Sequence, residues 1–348
     1  MIKLLIVDDS ATVRTALRRV FRDVEGIEVV GDACDPYVAR NRIFELRPDV
    51  VILDIEMPRM DGLTFLSKLM SHHPIPVVIL SSAARKGSET AVRALALGAV
   101  EVHEKPGSDR SVPEAAATLI RAVRHAARTR PKKIDPSAIE AEAAGPSPLL
   151  KTTQRLIAIG ASTGGAQALE TVFSKMPPDA PATLVVQHMP PGFTESLAQR
   201  LNDLSAMNVR EATDGETLSQ GTALIAPGDR HLYLLRSGAR YLVGVRKGPR
   251  VNLHRPSVDV TFRSVAQAAG SDAAGVILTG MGKDGAEGLL AMRQAGARTF
   301  AQDEESSVVY GVPREALAIG AAEKAIALYR VPQVLIEASC GSGVAGGA

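Results

Sequence analysis

The chain has 348 residues, enough for two domains that each bury a core, and its formal charge is only +2, from 40 basic and 38 acidic side chains. Neither half holds the basic surplus expected of a nucleic-acid binder, and no apolar run approaches the roughly 20 residues that span a bilayer. Tryptophan is absent and aromatic residues make up 3% of the chain, so the core is expected to be aliphatic, the habit of helices packed on parallel strands.

The first residues, "MIKLLIVDDS", reach acids too early for a signal peptide, and Cys34 and Cys340 lack the paired spacing of a metal site. Free thiols and a cytoplasmic location without direct membrane insertion are the expectation.

In chain order, "KLLIVDD", "IEVVGDA", "DVVILD", "PVVILSS" and "VEVHEK" read as five short strands, alternating with helices of ten to fifteen residues and closed by a helix near 113–128. That alternation builds a doubly wound parallel sheet, in which ligands sit beyond the carboxyl ends of the strands. Those ends carry Asp8, Asp9, Asp54, Ser81 and Lys105. Three carboxylates gathered at one edge repel each other unless a cation joins them, and a hard ion such as Mg²⁺ suits oxygen ligands. With a lysine and a hydroxyl opposite, the set can carry a phosphoryl group on Asp54. Taken singly, Asp8 or Asp9 could equally be a helix cap. Lys-Pro at 105–106 also suggests a tight turn, with a cis bond at Pro106 as one option.

The spacing DD…D…S…KP, with "DIEMPRMDG" around the acceptor, resembles the receiver domain of two-component response regulators over residues 1–125. The resemblance implies a five-stranded, flavodoxin-like domain whose Asp54 takes phosphate from a histidine kinase. It further implies Mg²⁺ held by Asp8, Asp9, Asp54 and the Glu56 carbonyl, with Ser81 and Lys105 sensing the phosphoryl group. Where many receivers carry an aromatic on the fifth strand, this chain has Val102, so an aromatic switch is not expected.

Residues 126–152, rich in proline, charge and small side chains, read as a linker. The second block, 153–337, opens with "RLIAIGASTGGAQAL". A dinucleotide loop would place glycine where Ser162 stands, and the lysine of a P-loop is missing. Residues 160–164 fit G-x-S-x-G, with a strand before and a helix after, the setting of a serine exposed on a sharp turn. A base and an acid are then needed. His188 ends the strand "ATLVVQH"; His231 starts what reads as a hairpin. His254 precedes a helix capped by Ser257 or Asp259 and reads as a surface or capping residue. Asp284 lies in the glycine-rich turn of "LTGMGKDGAEG", where a helix cap is the competing reading. If the three strands are neighbours, Ser162, His188 and Asp284 form a nucleophile, base and orienting acid, with glycine-flanked N–H groups facing an oxyanion.

In that order, "IGASTGG", "VVQHMP", "HRPSVDVTF" and "LTGMGKDGA" resemble the chemotaxis protein-glutamate methylesterases, over the whole chain except linker and tail. The resemblance implies hydrolysis of glutamyl methyl esters on methyl-accepting chemoreceptors with release of methanol, and deamidation of receptor glutamines. It implies Ser162, His188 and Asp284 as catalytic residues, the Met281 N–H on the oxyanion, and no metal or other cofactor in the second domain. The fold expected there is a Rossmann-like, mostly parallel sheet with a β-hairpin, followed by a disordered tail at 338–348. The tandem suggests a receiver that restrains the hydrolase until a chemotaxis histidine kinase supplies phosphate to Asp54. The competing class is a response regulator whose second domain only binds a partner.

Overall fold

The computed structural model describes residues 1–57, 62–81, 85–105, 112–129, 131 and 155–340. The chain divides into two compact units, Met1–Ala143 and Ala144–Ala348. In the first, strands β1 (Ile2–Val7), β2 (Ile27–Ala33), β3 (Val50–Asp54), β4 (Val77–Ser81) and β5 (Glu101–Glu104) alternate with helices α1 (Ala11–Phe21), α2 (Pro36–Leu46), α3 (Gly62–His72), α4 (Arg85–Ala96) and α5 (Val112–Ala126). The sheet order is β2-β1-β3-β4-β5, with every pairing parallel. Central strands β3 and β4 are buried along their whole length, which is why they read as unbroken apolar runs rather than alternating ones. Order reverses between β1 and β3, so the crevice lies where Asp8 and Asp54 emerge.

The second unit begins with β6 (Leu156–Ala161), α6 (Gly165–Phe173), β7 (Ala182–Gln187), α7 (Phe193–Leu204), β8 (Asn208–Glu211) and β9 (Thr222–Ile225). A hairpin follows, β10 (His231–Ser237) and β11 (Arg240–Arg246), and then α8 (Val258–Ala268), β12 (Ala273–Ile277), α9 (Ala286–Gln294), β13 (Arg298–Gln302), α10 (Val312–Ala318), β14 (Lys324–Ile326) and α11 (Val331–Cys340). Seven strands form one parallel sheet in the order β14-β13-β12-β6-β7-β9-β8, and the antiparallel hairpin stands apart from it. The chain leaves β6 toward β7 on one side and returns to β12 on the other. The switch point therefore falls beside Ser162.

Helix α8 fills the space between this sheet and the hairpin. Phe262 on it is fully buried in the cluster formed with Leu156, Leu232 and Leu289. Phe262→Ala is expected to cost about 3–5 kcal/mol, because the cavity between three elements cannot close. Chemical denaturation of the chain, followed for the second unit's transition, checks it.

Three expectations meet the structure here. Helix α11 runs to Cys340, three residues into the segment read as a disordered tail; Ser339 is buried and its hydroxyl donates to Leu335 O. The turn at Pro106 and most of 126–152 lie outside the described residues, as does the Cys340 side chain, while Cys34 is an exposed free thiol. No helix among the described residues is long and apolar enough to cross a membrane.

Candidate active site

At the carboxyl edge of the first sheet, oxygens of Asp8, Asp9 and Asp54 lie within 4.8 Å of one another. Asp54 is fully buried, and its Oδ2 receives Lys105 Nζ at 2.5 Å while its Oδ1 accepts the Glu56 N–H at 2.9 Å. Lys105 also stands 3.5 Å from Asp8 Oδ2. The Lys105 N–H donates to Ser81 O, which sets the lysine beside the buried serine at the end of β4. Burial raises the carboxyl pKa of both Asp8 and Asp54, against the lowering contributions of Ser10 N–H for one and Lys105 for the other. Burial would lower Lys105, but the hydrogen bond and charge of Asp54 outweigh it and the amine is raised. Asp8 Oδ2 is buried without a hydrogen bond among the described residues. A buried acceptor left over among hard oxygen donors fits a divalent cation. Val102 is buried on β5.

In the second unit, Ser162 follows β6 and Ser162 O accepts the Gly165 N–H at 2.7 Å, closing a tight turn. Gly164 occupies the third position with φ 77° and ψ −1°, the left-handed geometry of a type II turn. The left-handed residue is thus the glycine after the serine, and Ser162 itself is half-buried with ordinary φ. From the neighbouring strand, Gln187 Nε2 donates to Ser162 O at 2.9 Å and steadies the same turn. Gly280, after β12, lies so close that an added Cβ would sit 2.7 Å from Ser162 Cβ. Glycine is required there by proximity to the serine.

His188 bridges the other two groups: Ser162 Oγ lies 3.0 Å from Nδ1, and Asp284 Oδ2 lies 2.8 Å from Nε2. With the proton on Nε2 donated to Asp284, Nδ1 remains an acceptor for the serine hydroxyl. Asp284 is buried yet fully satisfied. Beyond His188 it accepts from Asn252 Nδ2 at 2.9 Å, Ser257 Oγ at 2.7 Å and the Val258 N–H at 2.8 Å. Burial alone would raise its carboxyl, but the bond and charge of His188, with Asn252 and Ser257, hold it at about 2. Because that lies below the unfolded value of about 3.9, its contacts stabilise the fold above about pH 4 and cease to as pH falls through 2. The anion therefore persists throughout the neutral range.

Two readings from the sequence are corrected by this geometry. Ser257 holds the N-cap position of α8 as expected, but its hydroxyl turns away from the helix to Asp284, and the carboxylate of Asp284 takes the first free N–H of α8 instead. The positive end of that helix then favours the anion. Asp259 does not cap: it is buried, accepts the Gly288 N–H of α9 at 2.6 Å and Asn252 Nδ2 at 2.7 Å, and its pKa is raised by burial. His254 is no bland surface residue. Its ring stacks on His188 with centroids 3.8 Å apart and planes 3° from parallel.

Asn252 and the Gln187 contact were missed in the sequence, and His254 was weighed there only as a surface or capping residue. Only "HRPSVD" hinted at His254, and nothing local marks an asparagine whose amide joins two buried carboxylates. Asn252→Ala is expected to lower turnover about 10- to 100-fold, because Asp284 loses one hydrogen bond to its buried charge, while Asp259 loses one as well. Steady-state kinetics on an ester substrate checks it, with a circular dichroism melt to show the fold is kept.

The hairpin contributes His231, at the start of β10 as expected, but away from the relay: its Nδ1 accepts the Ser257 N–H and its Nε2 donates to Pro249 O. Among the described residues the Met281 N–H has no acceptor. The segment before it is pinned, with Ser162 N–H donating to Thr279 O and Gly280 O accepting from Gly311 and Val312.

Known proteins bear on this arrangement. Residues 157–335 match the CheB methylesterase family and residues 4–117 the response regulator receiver domain. The chain is 53% identical to protein-glutamate methylesterase/protein-glutamine glutaminase 4 of Anaeromyxobacter dehalogenans, over 96% of this chain and 94% of that one. It is 50% identical to the protein of the same name, number 2, from Syntrophus aciditrophicus, covering 96% of this chain and 98% of that one. The Thermotoga maritima CheB methylesterase catalytic domain superposes with a TM-score of 0.52 at 39% identity, covering 53% of this chain and 98% of that one. With matched families over both units and relatives at half identity along nearly its full length, the chain belongs to the CheB methylesterase family, joined to an N-terminal response regulator receiver domain.

Proposed function

We propose that Ser162, His188 and Asp284 hydrolyse glutamyl methyl esters on methyl-accepting chemoreceptors. The observation that carries this reading is the unbroken relay from serine hydroxyl through imidazole to a buried, fully hydrogen-bonded carboxylate. His188 Nδ1 takes the Ser162 proton as Oγ attacks the ester carbonyl, and Asp284 holds the tautomer and stabilises the imidazolium. The Met281 N–H, which has no acceptor among the described residues, binds the oxyanion. Collapse breaks the bond to the methoxy oxygen, which leaves as methanol with the proton from His188. Water, deprotonated by the same imidazole, then attacks the acyl carbon; the bond to Ser162 Oγ breaks, His188 returns the proton to Oγ, and the glutamate carboxylate is released. A glutamine side chain follows the same route with ammonia as leaving group, in keeping with the methylesterase/glutaminase relatives. No cofactor is required by these steps.

In the receiver, a carboxylate oxygen of Asp54 attacks the phosphorus of a phosphohistidine on the chemotaxis kinase; the P–N bond breaks and an acyl phosphate forms. Asp8, Asp9, Asp54 and the Glu56 carbonyl would hold Mg²⁺, which supplies positive charge to the transferring phosphoryl group. Lys105 and Ser81 read the new charge. Both partners reach the chain from the cytoplasm in this reading. The proposed domain limits are those of the sequence reading, 1–125 for the receiver and 153–337 for the hydrolase.

Phosphorylation regulates the esterase, and the unphosphorylated receiver acts as its inhibitor. The test is methanol release from methylated chemoreceptor fragments, with and without a small-molecule phosphodonor. Deleting residues 1–129 is expected to raise release above that of the unphosphorylated full chain. A truncated chain no faster than the full one would refute inhibition.

A further inference from the structure

The loop between β11 and α8 has features that the relay does not use. It carries Lys247, Arg250 and Arg255, preceded by Arg246 at the end of β11, and residues 246–257 include no acid. Arg255 is committed inward, to Asp229 and the Gly248 carbonyl. Arg246, Lys247 and Arg250 are exposed; Lys247 stands 3.7 Å from that same Asp229, whose carboxyl also feels the charge of Arg250, and Arg250 Nη1 donates to Leu253 O at 3.4 Å.

At the tip, Val251 and His254 exchange backbone hydrogen bonds of 3.0 and 2.9 Å around Asn252 and Leu253, whose φ values are 50° and 70°. Both central residues at positive φ make this a type I′ turn, where glycine or asparagine is at home and leucine is not. Leu253 is nevertheless 63% exposed. A strained, apolar side chain that packs on little of its own chain is unexplained by folding, and strain of this kind gathers at functional sites. Its neighbours fix its position: Asn252 bonds Asp284, and His254 stacks on His188.

We propose that Leu253, with Arg246, Lys247 and Arg250, is the surface on which the substrate polypeptide docks, a glutamate-rich segment presenting one ester among ionised carboxylates. The inference rests on the esterase reading above. The reacting side chain is neutral, so attraction must come from its charged neighbours, and exposed cations on the loop whose tip contacts the relay supply it. Leu253 covers an apolar side chain of the segment. Since the turn is tied to both His188 and Asp284, whatever docks on it is held in register with Ser162.

The test is methanol release by the phosphodonor-treated full chain, against concentration of a methylated chemoreceptor fragment and against salt. Arg250→Glu reverses one exposed charge, and Arg250→Lys is its conservative control. Leu253→Gly removes the side chain and the left-handed strain together, so its effect is not a loss of fold. Arg250→Glu is expected to raise KM about tenfold with kcat within about twofold, and to flatten the salt dependence, while Arg250→Lys behaves as the parent. Leu253→Gly is expected to raise KM severalfold. KM unchanged in both Arg250→Glu and Leu253→Gly, or a lower kcat at constant KM, overturns the docking role. Methanol release that survives Ser162→Ala would instead refute the esterase reading, whatever the loop does.

Discussion

Methanol release from methylated receptor fragments is expected to fall about 10⁶-fold in Ser162→Ala, to the level left by binding and oxyanion contacts alone. The hydroxyl is small and half-buried, and the turn that carries it is held by backbone bonds from Gly165 and by Gln187. Fold and phosphoryl uptake should therefore survive the change. Asp284→Asn should cost about 10⁴-fold, because an amide that donates toward Nε2 selects the wrong tautomer of His188. Rapid sampling of methanol against thermal melts of each variant separates chemistry from folding. Turnover in Ser162→Ala near that of the parent would remove the serine from the mechanism and return the second domain to a binding role.

The second large effect is expected at Asp54. Asp54→Asn should take up no phosphoryl group from a small-molecule phosphodonor, and the rise in methanol release on adding the donor should vanish with it. The buried carboxylate, with Lys105 on one oxygen and the Glu56 N–H on the other, has no substitute placed alike among the described residues. Intact mass with and without donor reads the first effect; methanol release reads the second. Label persisting in Asp54→Asn would mean that another residue accepts the phosphate.

Much of the first site is legible from strand ends. In a parallel sheet all carboxyl termini share one edge, so Asp8, Asp54, Ser81 and Lys105 must converge once the five strands are recognised. The same rule brings Ser162 and His188 together, since β6 and β7 are adjacent. Asp284 needed more: β12 had to lie on the other side of β6, a fact of topology that no local pattern states. His254 was misread, and the Ser257 hydroxyl was expected to bond the helix it precedes, because capping is judged from neighbours within three or four residues. Their actual partners, His188 and Asp284, are remote in the chain.

The sequence by itself determined the two α/β units, the strand ends that carry the candidate residues, and the small set proposed as phosphate acceptor, nucleophile, base and acid. Periodicity and turn chemistry are local, and these properties follow from them. Only the tertiary structure decided how the acid is kept ionised and the base kept in place. Asp284 is buried and anionic because the first N–H of α8, Asn252 and Ser257 all reach it, and His188 is covered by His254. A buried charge is tolerable only when every donor arrives at once, and those donors come from segments joined by packing rather than by sequence.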